Sequence, residues 1–377
     1  MGRADATPPV LLAAGGTGGH LFPAEALARA LAARGVPVDL ATDERATRYG
    51  AAFPARATHV VPSDTFRGRD PVSLARTAWR LSYGLFAAWR LLGRLKPAAV
   101  VGFGGYPSIP PLLAAWLRGI PTIVHEQNGV MGRANRLLAG RVTAIATGFR
   151  GVVANEPQLA AKATHTGNPV RPAVLEAAAT PYDVPRADGP LRLLVFGGSQ
   201  GARVMADVVA PAIDHVEPGI RRRLAIVQQV REEDLARVRE IYGKLGIAAE
   251  TAPFFQDLPA RMAASHLVIA RAGASTVAEL SVIGRPSILV PLPHALDQDQ
   301  LANATALEKA GGAVVMPQDT FTPRRLADEI SALAAAPQLL SAMAASARGF
   351  GAPDAAERLA DLVMRVAATK AARNGAV

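Results

Sequence analysis

Two segments of this 377-residue chain share one local pattern: a short apolar run, a glycine-rich loop, and a run with helical spacing. Residues 10–14 lead into Gly-Gly-Thr-Gly-Gly-His (15–20), and residues 191–196 lead into Gly-Gly-Ser-Gln-Gly-Ala (197–202). An apolar run of this length is typical of a parallel strand buried on both faces. The loops begin at positions 15 and 197, almost half the chain apart, so each predicts the first strand–loop–helix turn of its own doubly wound domain. The first helix is expected to begin near Pro23.

The rest of the chain fits two α/β domains in tandem. Its length is too great for one ordinary domain and sufficient for two. We expect an N-terminal domain over residues 7–168, a C-terminal domain over 169–352 and a closing helix over 353–370, with the proline-containing segment 167–172 as a hinge. Further strands are predicted at residues 36–41, 98–102, 122–125, 142–146, 223–227, 266–270 and 287–290.

The glycine loops suggest phosphate binding. A helix begins with unpaired N–H groups and about half a positive charge, and glycines let a diphosphate approach that end without a Cβ in the way. The alternative is that the glycines only make tight turns. A dinucleotide fingerprint is not formed, because Leu21 stands where the third glycine is needed, and no Walker lysine follows either loop. Two such loops could hold an acceptor and a nucleotide diphosphate.

The second half carries another candidate ligand site. Residues 271–280, Arg-Ala-Gly-Ala-Ser-Thr-Val-Ala-Glu-Leu, follow a predicted strand and open a helix. Glu279 lies about one turn into that helix, where its carboxylate could accept both hydroxyls of a ribose, although a solvated glutamate is the simpler interpretation. Residues 297–300 and Asn303 supply the amide and carboxylate groups that commonly bind sugar hydroxyls.

Composition excludes some classes of protein and leaves others open. Without cysteine the chain has no disulfide, thiolate zinc site or cysteine nucleophile. The N-terminus lacks the order of a secretion signal and no apolar run reaches about 18–20 residues, so we expect a cytoplasmic protein without a membrane span. A net charge of +10 indicates either a basic host proteome or an anionic partner, which could be nucleic acid, a phosphorylated substrate or acidic lipid.

Residues 71–96 predict a helix with Gly84 as a candidate break. Leucines fall on one face, and arginines with aromatic side chains fall on the other. Two interpretations stay open: a solvated basic face, or an interfacial surface with arginine at lipid phosphate and aromatics at headgroup depth. The candidate membrane-facing residues are Arg76, Trp79, Arg80, Tyr83, Phe86, Arg90, Arg94 and Trp116.

In order and spacing, these motifs resemble the MurG-type N-acetylglucosaminyltransferases of bacterial peptidoglycan synthesis. The resemblance runs from Gly15 to Asn303. It is carried by the two glycine loops and by Gly-Phe-Gly-Gly-Tyr-Pro-Ser (102–108), His-Glu-Gln-Asn (125–128), Gly-Asn-Pro-Val-Arg (167–171), Arg-Ala-Gly-Ala-Ser-Thr (271–276) and residues 297–303.

The resemblance implies an α/β protein of the GT-B fold, with two Rossmann-like, doubly wound domains facing across a cleft. It implies inverting transfer of N-acetylglucosamine from UDP-GlcNAc to the muramyl 4-hydroxyl of undecaprenyl-pyrophosphoryl-MurNAc-pentapeptide, the step from lipid I to lipid II. The enzyme would be peripheral, on an anionic surface at the cytoplasmic face of the cell inner membrane. The donor-binding residues implied are Thr17, Gly18, Gly19, Asn128, Arg171, Ser199, Phe255, Ala274, Ser275, Thr276, Val277, Ala278, Glu279 and Gln300.

One position departs from the family pattern. Asp299 stands where His or Gln is usual, and a carboxylate can accept but not donate a hydrogen bond, which puts the detail of the donor-sugar contact in question. Asp297 and Asp299 have the spacing of a D-x-D metal site but belong to the sugar-facing motif. We therefore expect no obligatory metal and no cofactor.

An inverting transfer needs a base for the acceptor hydroxyl and stabilisation of the departing UDP. His20 is the first candidate base, because imidazole titrates near neutral pH; alternatively it caps the helix or orients acceptor phosphate. Glu126 is the second candidate, whereas His125 is expected to serve structure.

Three other functions stay open. A UDP-GlcNAc 2-epimerase-like isomerase would share the fold without needing a lipid acceptor, and a glycolipid synthase would use diacylglycerol. A basic nucleic-acid-binding protein is disfavoured, because no recognised module is present and only 5% of residues are aromatic.

Overall fold

The chain forms two compact units in the computed structural model. Unit 1 contains Met1–Arg171 and Asp354–Val377, and unit 2 contains Pro172–Pro353. The structure describes residues 7–15, 18–43, 53–63, 71–198, 201–293 and 297–374, without the side chains of 71–78 and 370–374. Three of the predicted site groups therefore lie outside the described residues: Thr17, Ser199 and the side chain of Arg76.

Strands and helices alternate through both units. The strands are β1 (Val10–Ala13), β2 (Val38–Thr42), β3 (Ala57–Val60), β4 (Ala99–Gly102), β5 (Thr122–Glu126), β6 (Ala144–Thr147), β7 (Ala163–His165), β8 (Leu191–Phe196), β9 (Leu224–Gln229), β10 (Ala249–Ala252), β11 (Leu267–Ala270), β12 (Ser287–Leu289) and β13 (Ala313–Val315). The helices are α1 (Gly18–Ala33), α2 (Pro71–Leu95), α3 (Ile109–Leu117), α4 (Arg133–Ala139), α5 (Pro157–Ala160), α6 (Pro172–Ala177), α7 (Arg203–His215), α8 (Pro218–Arg221), α9 (Leu235–Lys244), α10 (Leu258–Ala264), α11 (Ala274–Ile283), α12 (Asp299–Lys309), α13 (Pro323–Ala335), α14 (Pro337–Phe350) and α15 (Ala355–Asn374).

Unit 1 is built on a parallel sheet which, within the described residues, has seven strands in the order β3-β2-β1-β4-β5-β6-β7. The chain leaves β1 toward β2 and β3, then returns to add β4 on the other side of β1. Leu12 of β1 thus lies between Leu40 and Val101. This reversal is the switch point of a doubly wound sheet, and ligands bind outside the carboxyl ends of the strands at such a point.

Helices cover both faces of this sheet, so its strands are buried on both sides. Leu12 packs on one face with Leu27 of α1 and Val363 of α15. Leu11 packs on the opposite face with Leu92 of α2. Burial on both faces explains why β1 is continuously apolar rather than alternating.

Unit 2 repeats the plan with six strands among its described residues, in the order β10-β9-β8-β11-β12-β13. Its switch point lies between β8 and β11, where Leu193 pairs with Leu267. Leu193 packs with Val209 of α7 and Leu326 of α13. The two sheets confirm the prediction of two Rossmann-like, doubly wound domains.

Two helices differ from the sequence prediction. Helix α1 begins at Gly18, not near Pro23; Pro23 lies inside the helix, where it forgoes one backbone bond. Helix α2 continues through Gly84, the candidate break. A Cβ on Gly84 would lie 2.0 Å from the carbonyl oxygen of Pro62, so glycine permits close packing at this position.

Within the part of the chain that the structure describes, no single helix has both the length and the apolar character of a bilayer span. One bent pair, residues 323–335 with 337–369, passes that test by length and composition, and its two parts meet at 96°. Leu326 and Ile330 in the first part and Leu359 in the second are fully buried.

The edge of the first sheet is held by a buried carboxylate. Asp39 of β2 is 0% exposed and accepts two bonds from Arg56, Nε–Oδ1 at 2.9 Å and Nη2–Oδ2 at 3.0 Å. His59 of β3 places Nε2 3.2 Å from Asp39 Oδ2. These contacts join β3 and the residue before it to β2.

We expect Arg56→Met to lower the free energy of unfolding of unit 1 by about 1–3 kcal/mol, because a buried carboxylate loses its bidentate partner. Hydrogen exchange of β2 and β3 amides under increasing urea measures the change. Arg29→Met is the matched control: Arg29 pairs with Glu25 on the surface of α1, and its loss should be at most about 0.5 kcal/mol. Equal losses in the two variants would contradict a special role for Asp39.

Candidate active site

The first glycine loop meets the loop that follows β4 at the switch point of unit 1. A Cβ on Gly15 would lie 3.1 Å from Cγ of Pro107, so glycine lets the two loops approach closely. Gly18 is buried at the start of α1, whereas Gly19 is exposed. These residues lie where a doubly wound sheet binds its ligand.

His20 follows these glycines on α1 and lies against the loop after β4. Its ring atoms lie 3.4–3.5 Å from the Cβ positions that Gly104 and Gly105 lack. Burial lowers the pKa of His20, and hydrogen bonds with the Phe103 carbonyl and the Gln127 side chain offset part of that decrease. The imidazole is therefore neutral at neutral pH.

Glu126 holds the segment that follows β5. It is 1% exposed, and its carboxylate accepts four hydrogen bonds. Oε1 accepts from Asn128 N at 2.9 Å and Asn128 Nδ2 at 3.2 Å, and Oε2 accepts from Gly132 N at 2.9 Å and Asn135 Nδ2 at 2.8 Å. Burial raises the pKa of Glu126, and these bonds lower it in part. The carboxylate thereby orders residues 128–135 and fixes Asn128 beside it.

Residues that sequence reasoning missed join this network. Gln127 is 3% exposed and donates from Nε2 to the Phe103 carbonyl at 2.8 Å. Asn168 donates from Nδ2 to the Gln127 carbonyl at 2.8 Å, and Gly148 leaves room for it, since a Cβ there would lie 2.1 Å from Asn168 Oδ1. His125 is fully buried with Nε2 3.1 Å from the Gly167 carbonyl, and burial lowers its pKa to about 4. His125 was expected to serve structure, and its buried contact agrees with that role. For Gln127 the available signal was its polar character just after the predicted strand 122–125, whereas Asn168 follows β7, which was not predicted.

Arg171 is the last residue of the first segment of unit 1. Its guanidinium carbon lies 4.5 Å from the ring centroid of Phe22 in α1, an arrangement suited to a cation–π contact. This places a cation beside the helix that the first glycine loop opens.

The second glycine loop requires glycine at three positions. A Cβ on Gly197 would lie 2.2 Å from the backbone nitrogen of Ala202, and Gly198 and Gly201 have φ of +87° and +68°. A Cβ on Gly201 would also lie 2.8 Å from Cγ of Arg231, which is itself held by Asp234 through Nη2–Oδ2 at 2.6 Å. The loop is thus shaped by its backbone at the switch point of unit 2.

Helix α11 begins at the same edge of that sheet, directly after β11. Its N-cap is Gly273, which has no side chain to bond the first N–H groups. Ala274, Ser275, Thr276 and Ala278 are half-buried, whereas Val277 faces the core. Glu279 is 5% exposed, one and a half turns into the helix. The uncapped helix start offers an anion at least three backbone donors.

Buried polar side chains fix the segments around α11. Arg271 donates from Nη1 to the carbonyls of Val290 and Pro291 at 3.1 and 3.0 Å, and burial lowers its pKa. Asn303, fully buried on α12, donates to the Ala272 carbonyl at 3.1 Å. These bonds join the loops after β11 and β12.

The sugar-facing motif lies at the start of α12. Gln300 accepts the N–H of Leu292 at Oε1, at 3.0 Å. Asp299 accepts the N–H of Gln300 at 2.9 Å, in the manner of a helix-capping carboxylate. Both are half-buried.

Phe255 lies apart from that motif, in the loop after β10 at the far edge of the second sheet. Its ring is 7% exposed and 4.2 Å from the guanidinium carbon of Arg261. This packing fixes the backbone of the loop, while neighbouring Phe254 is 64% exposed.

The predicted site residues thus form two groups. At the carboxyl edge of sheet 1 the structure places Gly18, Gly19, His20, Glu126 and Asn128. At the carboxyl edge of sheet 2 it places residues 274–279 and Gln300, with Phe255 at the end of the edge strand β10. Across the described ranges, no cluster of three or more His, Asp and Glu side chains has the arrangement of a metal site.

A basic and aromatic surface lies on α2, at the face opposite its buried leucines. We call it the α2 surface, and it consists of exposed Trp79, Arg80, Tyr83, Phe86, Arg90 and Arg94. Trp79 is 73% exposed, and Trp116 at the end of α3 is 44% exposed. Arg141 lies 5.6 Å from the Trp116 ring.

Nearly all of the excess charge lies in this part of the chain. Residues 71–155 contain ten of the 41 Lys and Arg residues but one of the 31 Asp and Glu residues, the buried Glu126. The remainder of the chain, with 31 basic and 30 acidic residues, is almost neutral. The excess positive charge is therefore concentrated in residues 71–155 and is not distributed evenly along the chain.

Comparison with known proteins gives a consistent result. Residues 10–147 match the glycosyltransferase family 28 N-terminal domain, and residues 192–359 match its C-terminal domain. A protein of Rhodopseudomonas palustris (strain BisB18), named UDP-N-acetylglucosamine--N-acetylmuramyl-(pentapeptide) pyrophosphoryl-undecaprenol N-acetylglucosamine transferase, is 65% identical over 96% of this chain and 96% of its own length. A Nitrobacter hamburgensis protein of the same name is 61% identical, covering 96% and 98%.

Solved structures agree. The crystal structure of Acinetobacter baumannii MurG is 30% identical and superposes with a TM-score of 0.78 over 95% of this chain and 100% of that one. The UDP-GlcNAc 2-epimerase of Neisseria meningitidis, solved with UDP-GlcNAc bound, has a TM-score of 0.67 over 94% and 100% of the chains. At 12% identity that second likeness shows the fold alone.

We expect Glu126→Gln to loosen residues 128–135. In glutamine an NH₂ group takes the place of one carboxylate oxygen. The N–H groups that bond that oxygen in the unmodified protein lose their acceptor, which costs about 1–3 kcal/mol of loop stability for each. Hydrogen exchange of the amides of Asn128 and Gly132 should accelerate. Glu308→Gln is the control, since Glu308 accepts one exposed backbone bond, from Val315 N at 2.8 Å. Unchanged exchange at both amides would show that the carboxylate does not hold the loop.

Proposed function

Since this chain belongs to glycosyltransferase family 28, we propose that it transfers N-acetylglucosamine from UDP-GlcNAc to the muramyl 4-hydroxyl of undecaprenyl-pyrophosphoryl-MurNAc-pentapeptide. The family domains span most of the chain, and relatives 61–65% identical carry the corresponding enzyme name, so the chain is an N-acetylglucosaminyltransferase. One observation carries the proposed binding sites: in each unit a helix begins at a glycine-lined turn at the switch point of the sheet.

We assign the donor to unit 2. The first N–H groups of α11, left uncapped by Gly273, would hold the diphosphate, together with the second glycine loop and Ser199. The Glu279 carboxylate would accept the ribose hydroxyls. The backbone of Phe255 would pair with uracil, since its ring is already packed against Arg261.

Within unit 2, Gln300 would bind the donor sugar; the donor role of Asn128 stays the prediction made from the family resemblance. Because Gln300 Oε1 already accepts from Leu292 N, the amide NH₂ is the part of the side chain to donate to a sugar hydroxyl. Asp299, whose Oδ1 accepts the Gln300 N–H, serves to start α12 in this proposal. This gives the departure from the family pattern a structural role.

The reaction would be one in-line displacement at the anomeric carbon. The bond from that carbon to the UDP oxygen breaks as the acceptor oxygen bonds from the opposite face, and negative charge develops on the diphosphate. Backbone donors at the start of α11 would stabilise that charge, because preorganised donors need no reorganisation during the step. A donor contact from Arg171 stays the prediction made from the family resemblance. Thr17, Gly18 and Gly19 belong to the first glycine loop and would keep the donor-binding role that the resemblance implies.

We assign the base to His20 rather than to Glu126. Burial keeps the imidazole neutral at neutral pH, which is the form that accepts a proton. Glu126 has both oxygens committed to four donors, so proton transfer to it would disrupt the loop it orders.

The acceptor carries a polyprenyl chain, so the enzyme must visit a bilayer. We assign this contact to the α2 surface with Trp116 and Arg76: arginines would meet lipid phosphate and the aromatic rings would lie at headgroup depth. The enzyme would then act as a peripheral protein at the cytoplasmic face of the inner membrane. The absence of acidic residues from residues 71–125 supports an anionic lipid partner.

The deciding experiment supplies radiolabelled UDP-GlcNAc with a short-chain lipid I analogue. Labelled lipid-linked disaccharide supports the proposal. Diacylglycerol in place of the analogue tests the glycolipid synthase, and N-acetylmannosamine or UDP released without acceptor would indicate the epimerase-like activity instead. Either of these outcomes with no disaccharide would overturn the proposal.

His20→Ala should lower kcat by about 100-fold or more and raise the KM for UDP-GlcNAc less, because a base acts in the transition state rather than in donor binding. In the unmodified enzyme, kcat should fall in acid with an apparent pKa below the ordinary histidine value of 6.5, since burial lowers the pKa of His20. The control is His215→Ala, an exposed histidine at the end of α7. An unchanged kcat would remove His20 from the chemistry.

Replacing Arg80, Arg90 and Arg94 with glutamate should abolish most binding to anionic liposomes, and salt should weaken the binding of the unmodified protein. Sedimentation with vesicles of mixed neutral and anionic lipid measures both effects. Glutamate at Arg222, Arg324 and Arg325, exposed on unit 2, makes the same change in net charge and should leave binding in place. Equal losses in the two triple variants would show that net charge, not this surface, matters.

A further inference from the structure

The peptide group between Pro291 and Leu292, in the loop after β12, is hydrogen-bonded on both of its sides. Its carbonyl oxygen accepts from Arg271 Nη1 at 3.0 Å, and its N–H donates to Gln300 Oε1 at 3.0 Å. A trans peptide group is planar, and its carbonyl and N–H point in opposite directions, so neither bond can turn without the other. One rigid group therefore connects Arg271 to Gln300.

The guanidinium of Arg271 is a fixed point for this connection. Arg271 directly follows β11 and is 8% exposed. Besides the Pro291 carbonyl, Nη1 donates to the Val290 carbonyl at 3.1 Å, and Nη2 donates to Gln318 Oε1. A planar guanidinium with three acceptors has one orientation. The loop itself is stiff, because Pro291 has a fixed φ and Pro293 restricts the residue before it to extended backbone.

The residue after Arg271 supplies a second connection to the same glutamine. The Ala272 carbonyl accepts from Asn303 Nδ2 at 3.1 Å, and Asn303 lies three positions after Gln300 on α12. The next residue is Gly273, the N-cap of α11, where we place the donor diphosphate. Two adjacent residues therefore set the distance between the proposed diphosphate site and the amide that is proposed to bind the sugar.

We propose that Arg271 is the positioning residue that holds the Gln300 amide at the distance from the start of α11 that a UDP-linked sugar requires. Arg271 presents the Leu292 N–H to Gln300 Oε1, which leaves the amide NH₂ for the sugar. Its bonds within the described residues go to the loops after β12 and β13 and not to α11, and Nε is buried with no partner among them. Loss of Arg271 should therefore affect the sugar and spare the UDP part. The effect on binding rests on the proposed function; the order of the Leu292 loop does not.

The first test needs no ligand. We expect the Leu292 amide of the unmodified protein to exchange at least about 10-fold more slowly than an unbonded amide of the same sequence, and Gln300→Ala to remove that protection. Arg271→Met keeps the apolar stem of the side chain but no donor, and should accelerate the exchange as well. A Leu292 amide that exchanges freely in the unmodified protein overturns the proposal, whether or not any variant folds.

The second test compares UDP with UDP-GlcNAc by calorimetry. Arg271→Met should weaken the binding of UDP-GlcNAc about 5- to 10-fold, as expected for one lost hydrogen bond, and change that of UDP by less than about 2-fold. Gln300→Ala should have the same pattern. The double variant should bind no more weakly than the weaker single variant, because Arg271 acts through Gln300. Losses that multiply in the double variant, or that are equal for the two ligands, contradict the proposal.

Two further variants complete the comparison. Arg223→Met is the matched control: Arg223 precedes β9 at the opposite edge of sheet 2 and donates from Nε to the Gly189 carbonyl at 2.7 Å. It should leave both affinities and the Leu292 amide unchanged. Gln318→Leu frees Nη2 of Arg271 and carries the same measurements if Arg271→Met does not fold. It should accelerate Leu292 exchange and weaken UDP-GlcNAc about 2- to 5-fold; no change in either would contradict the proposal.

The positioning role and the proposed function fail separately. If Arg271→Met frees the Leu292 amide in a protein that binds no UDP-GlcNAc, the order of this loop is upheld and the proposed function is lost. If the protein makes labelled disaccharide and Arg271→Met leaves its affinity for UDP-GlcNAc unchanged, the function stands and the role of Arg271 is lost.

Discussion

At the carboxyl edge of each sheet the chain turns sharply from a buried strand into a helix, and the first N–H groups of that helix have no partner inside it. Glycine at these turns keeps the edge open: Gly273 caps α11 without a side chain, and Gly197 admits the backbone of Ala202. The same geometry that completes a doubly wound sheet therefore creates backbone donors for an anion. Side chains are then needed only to hold the turns and to distinguish the ligands.

Most polar side chains around the two edges bond the chain itself. Glu126 holds residues 128–135, Arg271 holds the carbonyls after β12, and Asn303 holds the loop before α11. A buried polar group is unfavourable unless it is hydrogen-bonded, so each of these side chains specifies one loop conformation. The pattern explains why many polar residues lie near a candidate site although few are free to act on a substrate.

The sequence predicted the central strands because burial on both faces makes them apolar, without interruption in β1 and at every position but Arg192 in β8. It did not predict β3, β7, β10 and β13, which are three or four residues long, partly exposed and at the sheet edges. Motifs predicted site roles for His20, Glu126 and residues 274–279, and the structure places these residues at the carboxyl edges of the two sheets. Gln127 and Asn168 were missed because their roles depend on contacts across 24 and 41 positions, which local pattern does not encode.

The position of the charge separates the two interpretations that composition left open. A basic proteome would spread excess arginine over the whole surface, yet the chain outside residues 71–155 is nearly neutral. Within that range the acidic residue is buried, and arginines flank exposed tryptophan and phenylalanine on α2. Purely electrostatic attraction would not require exposed rings, whose burial from water is favourable only against an apolar phase. Charge and aromatic exposure on one face therefore both support the proposed contact of this surface with anionic headgroups and the apolar layer beneath them.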